Sequence, residues 1–515
     1  MEINITTLSS PWPLLTTLQL VPLLAGLLLS RWRGNKAFVL ALIVTTLEFA
    51  LAIYLYLHFD AHQPAWTMQF VEQFTIWKAL QYHVGVDGLS VLFILITALI
   101  SFLGVVFIVL RRLHGTSMLA LIVLCEAVLM SQFVTLDLLW FWFMTGWEIL
   151  FTAYMTKRWA TFHDVTPTLI RYLQFMGTAF VLIGLGVLLM GWSYADQHNG
   201  QWSFDLTDLV ALQDLNSTLG TLIFFAWFYG LAIRIPAFPF HGWLAEFMLH
   251  GNVTNAPMIL LGVKVGIYAL LRFVFPIVPE AVSEWQTAVV GFAFVGVFYA
   301  AILAIGQRTL RELLAFAVIS HTGLVTIGLF TLNEEAFHGA VLLALNFGLA
   351  ISALLLMTGL LWQRTRTTRL NKLGGLLDYL PMVGAAFLIA GLAIVGMPGT
   401  PGFDGVHFIL AAAIRTFGAP LTIAAALGNI IAAGFLLRAF QRTFLGSMPD
   451  ATLTQKWDTQ PPLLAEKILA STMIITILGI GFYSNPWLTL IEQPLQGIST
   501  LFPDIHATHN AEVTP

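Results

Sequence analysis

Residues 221–241 read Thr221-Leu-Ile-Phe-Phe-Ala-Trp-Phe-Tyr-Gly-Leu-Ala-Ile-Arg234-Ile-Pro236-Ala-Phe-Pro239-Phe-His241. An apolar run of this kind reaches most of the way across a hydrocarbon core, which takes about 20 residues of helix. Arg234 within it would be costly against lipid tails, so it must face protein or water. Proline removes an amide donor and clashes with the preceding turn. The carbonyl it frees is tolerated at membrane depth only beside protein or a wet cavity. The stretch therefore reads as a broken transmembrane helix inside a bundle.

The rest of the chain repeats the pattern. Apolar runs fall near 14–30, 37–58, 88–110, 116–134, 135–156, 168–192, 218–240, 254–275, 287–306, 312–331, 336–362, 381–417, 421–445 and 465–483. Polar stretches at 59–87, 193–217 and 446–464 are too short for a soluble domain. Charged residues make up 10% of the 515 and apolar ones 58%, against roughly 25% charged in soluble domains. The expected fold is an all-α integral membrane protein of about 14 transmembrane helices. A single cysteine, Cys125, excludes a disulfide framework and a thiolate metal site. No basic tract suggests nucleic acid, and the start of the chain lacks the basic region of a cleaved signal peptide.

Lys and Arg set the expected orientation. Loops after odd-numbered spans carry Arg31, Arg33, Lys36, Arg111, Arg112, Lys157, Arg158, Arg308, Arg311, Arg364, Arg366, Arg369, Lys372, Arg438, Arg442, Lys456 and Lys467, which is 17 of the 23 basic residues. The opposite loops carry Lys78 among many acids, including Asp60, Glu72, Asp205, Asp214, Glu280 and Glu334. Basic residues favour the cytoplasmic side, so both termini are expected outside, in a bacterial inner or equivalent energy-transducing membrane.

A second break lies in Gly396-Met-Pro398-Gly399-Thr-Pro401-Gly402, five spans after the first. Breaks at matching positions fit two inverted repeats, spans 4–8 (116–275) and 9–13 (287–445). Spans 1–3 (1–115) precede them, and span 14 with the tail (446–515) follows. Discontinuous helices at matching positions, here at Pro236/Pro239 and Pro398/Gly399, point to a transport site.

Ionisable residues inside the spans carry the chemistry. Glu148 is mid-helix in Trp147-Glu148-Ile, with Arg234 and Lys264 at comparable depth in spans seven and eight. A charge there costs about 2.5–3.5 kcal/mol on insertion scales, so each should turn inward and have a partner. The simplest pairing is Glu148 with Arg234, Lys264 continuing inward; the plainer alternative is a static ion pair that fixes packing. Glu126 in span four and His321 in span ten join the candidate path, His321 equally as a simple interhelical hydrogen-bonder. Asp404 and His407 follow the second break three residues apart, on one helical face. They fit a proton-accepting carboxylate–imidazole pair, or a cap on the second half-helix. His241 and His250 lie near the cytoplasmic end of span seven.

These landmarks, in this order, resemble the antiporter-like proton-translocating subunits of the respiratory complex I superfamily, most nearly the M-type subunit of NADH-quinone oxidoreductase. The resemblance is carried by Gly85-Val-Asp87-Gly88-Leu-Ser90, Trp147-Glu148, Ala232-Ile-Arg234-Ile-Pro236 with Pro239-Phe-His241-Gly-Trp243, Lys264 with Tyr268-Ala-Leu-Leu-Arg272, Leu314 to Gly323 around Ser320-His321, Gly374-Gly375, Gly396-Met-Pro398-Gly399-Thr and Leu437-Arg438-Ala-Phe-Gln441-Arg442. It implies an ion channel with Glu148 and the span-seven cation at entry, Lys264 central and a span-twelve group at exit. It also implies redox cofactors in other subunits and none in this chain.

Four positions depart from that pattern. The span-seven lysine is Arg234, which keeps its proton where lysine can exchange one. The Pro-Asp-Ala-His and Ala-Pro-Thr motifs become Ala245-Glu246-Phe-Met-Leu-His250 and Asn255-Ala-Pro257; the span-eleven histidine falls at Phe347; the exit residue falls at Val406, between Asp404 and His407. The path looks rebuilt, as in a divergent paralogue. The expected function is a proton-conducting subunit of a complex-I-like assembly, with other membrane subunits as partners. Three alternatives stay open: an ion-conducting partner of an inorganic-carbon accumulating complex with a carbonic-anhydrase-like module, a subunit of a multi-subunit Na⁺/H⁺ antiporter, and a scaffold with frozen ion pairs.

Overall fold

The computed structural model describes residues 3, 5–77, 80–111, 115–161, 164–212, 217–251, 256–450, 457–458 and 460–503. Lys78, Arg112, Asp214, Lys456, Asn255 and the tail beyond 503 lie outside the described residues.

The chain is a helical bundle whose members alternate in direction. Helices α1 (Leu14–Arg31), α2 (Asn35–His58), α3 (Gly88–Arg111), α4 (Thr116–Val134), α5 (Leu138–Trp159), α6 (Thr166–Gln197) and α7 (Ser217–Arg234) form its first half. The second half holds α8 (Ala256–Ala269, extended by a π-turn Leu270–Val274 and Phe275–Ile277), α9 (Pro279–Gly306), α10 (Leu310–Leu329), α11 (Glu334–Thr365), α12 (Pro381–Val395 and Pro401–Phe417), α13 (Ala419–Phe440) and α14 (Leu464–Phe482). Among the described residues, 11 helices are long and apolar enough to cross a membrane. The three others are α5, with its Glu148, Lys157 and Arg158; α8; and the interrupted α12. Each packs among the spanning helices.

Contacts between loops support the expected alternation independently. The segments before α3, α5 and the short helix Leu206–Val210 meet through backbone bridges Val84 to Thr135 and Asp137 to Asp205. The loops after α9 and α11 meet through Thr309 and Arg369. Loops of like parity thus share an end of the bundle.

Two elements were not anticipated from sequence. Part of the polar stretch 59–87 folds as a small sheet in which β1 (Thr6–Ser9) runs parallel to β2 (Thr67–Trp77), itself antiparallel to β3 (Leu80–Val86). After α14, the helix α15 (Asn485–Ser499) buries Leu490, Ile491, Leu495 and Ile498 along one stripe. The sheet is tied to the bundle by Asp137, which accepts from Trp140 N at 2.8 Å to cap α5 and from Gln81 N at 3.2 Å.

The core is α11, whose middle from Gly339 to Leu361 has no exposed side chain; α4 is buried along nearly all of its length as well. Surrounding helices turn apolar side chains outward, among them Leu24 (α1), Leu57 (α2), Val181 (α6), Ile302 (α9), Ile430 (α13) and Ile475 (α14). Those are the faces that meet hydrocarbon or neighbouring subunits.

Both breaks are present, and neighbouring groups supply donors to carbonyls that they free. Past Pro236, Ala237 N reaches back to Ala232 O at 2.9 Å, and Trp243 Nε1 donates to the Ile233 carbonyl at 2.9 Å. In α12, Gly396 takes the left-handed conformation (φ 83°) that ends the first half. Three consecutive carbonyls there are met by three different helices. Asn346 Nδ2 of α11 donates to Ala393 O at 2.9 Å, His321 Nε2 of α10 lies 2.9 Å from Ile394 O, and Asn429 Nδ2 of α13 donates to Val395 O at 2.7 Å. A carbonyl left bare in a dry interior is costly, so these side chains hold the break open.

Replacing Asn346 or Asn429 with Leu should therefore lower the unfolding midpoint of the purified complex, each by the equivalent of about 1 kcal/mol. Unchanged midpoints in both would mean that the carbonyls find other donors.

Candidate functional site

The site begins where α5, α7 and α8 touch. Glu148 Oε2 of α5 lies 2.5 Å from Arg234 Nη2, the last residue of α7 before its break. Arg234 Nη1 donates to Thr145 Oγ1 at 3.0 Å, one turn before Glu148. That hydroxyl also accepts from Gln132 of α4 and donates to Phe141 O. The guanidinium is thus fixed by a carboxylate and a fully engaged hydroxyl. Its side chain is 2% exposed against 15% for Glu148, so the carboxylate is the more accessible member. The other oxygen of Glu148 rests on α8 at Gly262, where a Cβ would overlap it.

Lys264 lies two residues further along α8 and is 2% exposed. No hydrogen bond or ion pair of its ammonium occurs among the described residues; its recorded neighbour is the Phe347 ring, 5.0 Å from Nζ to centroid. His321 follows on α10, with Nδ1 3.1 Å from Ala317 O and Nε2 2.9 Å from Ile394 O. A neutral imidazole donates to one carbonyl only, an imidazolium to both. With its proton on Nε2, or as an imidazolium, the ring donates to the α12 break, and the second carbonyl is placed to accept from an added proton.

Glu126 is fully buried, with Ser101 of α3 beside its carboxyl group. It lies within electrostatic reach of Glu48 on α2, which is equally buried and whose carboxyl oxygens have no hydrogen-bond partner among the described residues. Sequence reasoning missed Glu48, although an acid inside an apolar run of 22 residues is the signal that singled out Glu148. The two are buried acids on neighbouring helices, α2 and α4.

Asp404 and His407 do not join the interior row. The inward stripe of the second half of α12 is Gly402, Gly405, Val406 and Ile409, packed so closely on α11 that a Cβ at Gly405 would lie 2.9 Å from Leu343 N. Positions 404 and 407 are turned away; His407 is exposed and stacks on Phe403. No hydrogen bond links Asp404 to His407 among the described residues. His250 Nδ1 sits beside Thr168 Oγ1 at 3.0 Å and Glu246 O at 3.1 Å, while His241 packs on Phe238 and Tyr299. Neither approaches the row.

Two quoted motifs prove to interlock. Asp87 accepts from Ser90 N at 2.9 Å to cap α3, and pairs with Arg272 at 3.1 Å. Tyr268 joins Ser90 at 3.0 Å. This knot secures α3 to α8 and so fixes the helix that bears Lys264.

Changing Gly262 to Ala should displace the Glu148 carboxylate from Arg234. Proton translocation per assembled complex should fall about tenfold or more, as expected for misplaced reacting groups; translocation at the original rate would show that the close approach of α8 has no bearing on the path.

The chain matches known proteins along nearly its whole length. The family described as NADH:quinone oxidoreductase/Mrp antiporter, transmembrane region, matches residues 174–432. Subunit M of NADH-quinone oxidoreductase from Rickettsia conorii is 29% identical over 472 residues, covering 90% of this chain and 92% of that protein. The Escherichia coli subunit M is 26% identical over 514 residues, covering 95% and 98%. Among solved structures, a chain of respiratory complex I from Thermus thermophilus superposes with a TM-score of 0.84 at 27% identity, covering 95% of this chain and 99% of that one. A chain of the Mrp complex from a Dietzia species shares the fold, with a TM-score of 0.82 at 20% identity over 97% and 100%. The chain belongs to the NADH:quinone oxidoreductase/Mrp antiporter family, as an antiporter-like membrane subunit of the complex I type.

Proposed function

We propose that protons cross this antiporter-like subunit of a complex-I-like assembly along a mid-membrane row, from Glu148 to Lys264 to His321. Arg234 is the fixed member. It does not release its proton, and it holds the Glu148 carboxylate in place at 2.5 Å. Lys264 is the mobile member, a buried amine with one proton to pass on and no carboxylate held against it among the described residues. His321 receives that proton beside the α12 break. The observation that carries this reading is the junction of Glu148, Arg234 and Gly262, which brings an acid, a permanent cation and the lysine-bearing helix into contact inside the bundle.

Further features fit the same reading. The two broken helices, α7 and α12, are each fourth in a run of five, which supports inverted repeats over 116–275 and 287–445. The basic loop ends support both termini outside the cytoplasm. Glu126 with Glu48 is a side branch. Asp404 and His407, facing outward, would serve a transfer where α12 meets a neighbouring subunit or lipid. The chain is read as carrying no cofactor, its driving reaction residing in a soluble redox module of the assembly.

Glu148→Gln and Lys264→Met, each in the intact complex reconstituted in vesicles, should cut proton translocation at least about tenfold while assembly persists. Translocation unchanged in both variants would remove the row from the mechanism.

A further inference from the structure

One aromatic ring touches both ends of the step from Lys264 to His321. The Lys264 ammonium lies 5.0 Å from the Phe347 centroid, and the His321 imidazole stacks on the same ring, centroids 4.9 Å apart at 20°. Gly348, the next residue of α11, makes the approach possible: a Cβ there would come within 3.2 Å of Lys264 Cε. Among the described residues no hydrogen bond joins Lys264 to His321, both of whose nitrogens face backbone carbonyls. Phe347 is 3% exposed in the most enclosed helix of the bundle. It has neither donor nor acceptor.

We infer that Phe347 gates the proton step between Lys264 and His321. The inference rests on the reading of Lys264 as the proton-carrying group. The negative face of the ring attracts the ammonium, an interaction that strengthens when the cation is desolvated. The ring thus holds the ammonium against its face and supplies no hydrogen-bonded link along which its proton could leave. Transfer waits until the ring turns or water enters beside it. An N–H bond at Lys264 Nζ then breaks and one forms at the bare nitrogen of His321. The resulting imidazolium donates to both Ala317 O and Ile394 O, while the neutral amine no longer gains from the ring.

The test is proton flux through the reconstituted complex under an imposed membrane potential, read with a pH dye inside the vesicles and normalised to assembled complex. Phe347→His supplies a titratable ring and Phe347→Ala opens space for water. Each should raise flux about tenfold, the return expected for relieving a contact of cation–π strength. Adding Lys264→Met to either should bring the flux below that of the parent. Should neither variant assemble, Phe347→Tyr keeps the ring and adds a hydroxyl, and should still raise flux severalfold. Flux at or below the parent level in the Phe347 variants that assemble would overturn the gate. If Lys264→Met alone lowers flux in that case, the proton row stands without a gate. If Lys264→Met alone changes nothing, the row itself fails.

Discussion

A polar group surrounded by hydrocarbon must find its partner inside the protein, and the central architecture follows from that requirement. Where Pro236 and the Gly396–Gly402 segment interrupt helices, backbone carbonyls lose their amide donors. Trp243, Asn346, Asn429 and His321 supply replacements from neighbouring segments. The same requirement fixes the charges. Arg234 ends a helix at the first break and is met by Glu148 and Thr145. The breaks and the buried charges therefore form one connected region. Side chains needed to stabilise the irregular backbone stand beside those that can carry a proton.

This arrangement separates fixed from exchangeable groups. A guanidinium keeps its proton, so Arg234 can hold the Glu148 carboxylate in place without trading protons with it. A lysine amine can exchange, and Lys264 sits where the neighbouring ring affects its charged form alone. His321 belongs to both systems, as support for the α12 break and as a proton acceptor. A groove lined by Phe49, Tyr56, Leu92, Leu349, Tyr483 and Trp487 opens along the flank formed by α2, α3, α11, α14 and α15.

Much of this was legible in the sequence, because apolar runs and charge parity follow from the bilayer alone. The spans, both breaks and the pairing of Glu148 with Arg234 come from counting residues and asking what each charge would cost in lipid. Other features escaped for identifiable reasons. Residues 59–87 are polar and aperiodic overall, so the sheet they build with Thr6–Ser9 depends on a strand partner some 60 positions away. The stripe of α15 is too short and too polar to read as a span. Asp404 and His407 satisfied a spacing rule for sharing a helical face, but spacing does not say which way the face points. The glycine stripe of α12 turned it outward. Glu48 stood in plain view within an apolar run, yet only its burial beside Glu126 marks it as a partner. Asn346 and Asn429 are unremarkable until the carbonyls they cap are known.

The most direct test separates what the buried ion pair does for folding from what it does for protons. Replacing Glu148 by Leu and Arg234 by Met together removes both charges at once and leaves no unpaired ion behind, an exchange that is often neutral or stabilising. The account predicts a double variant that assembles normally and translocates protons at a small fraction of the parent rate. A double variant that assembles and still translocates at the parent rate would contradict it, leaving the pair as packing alone.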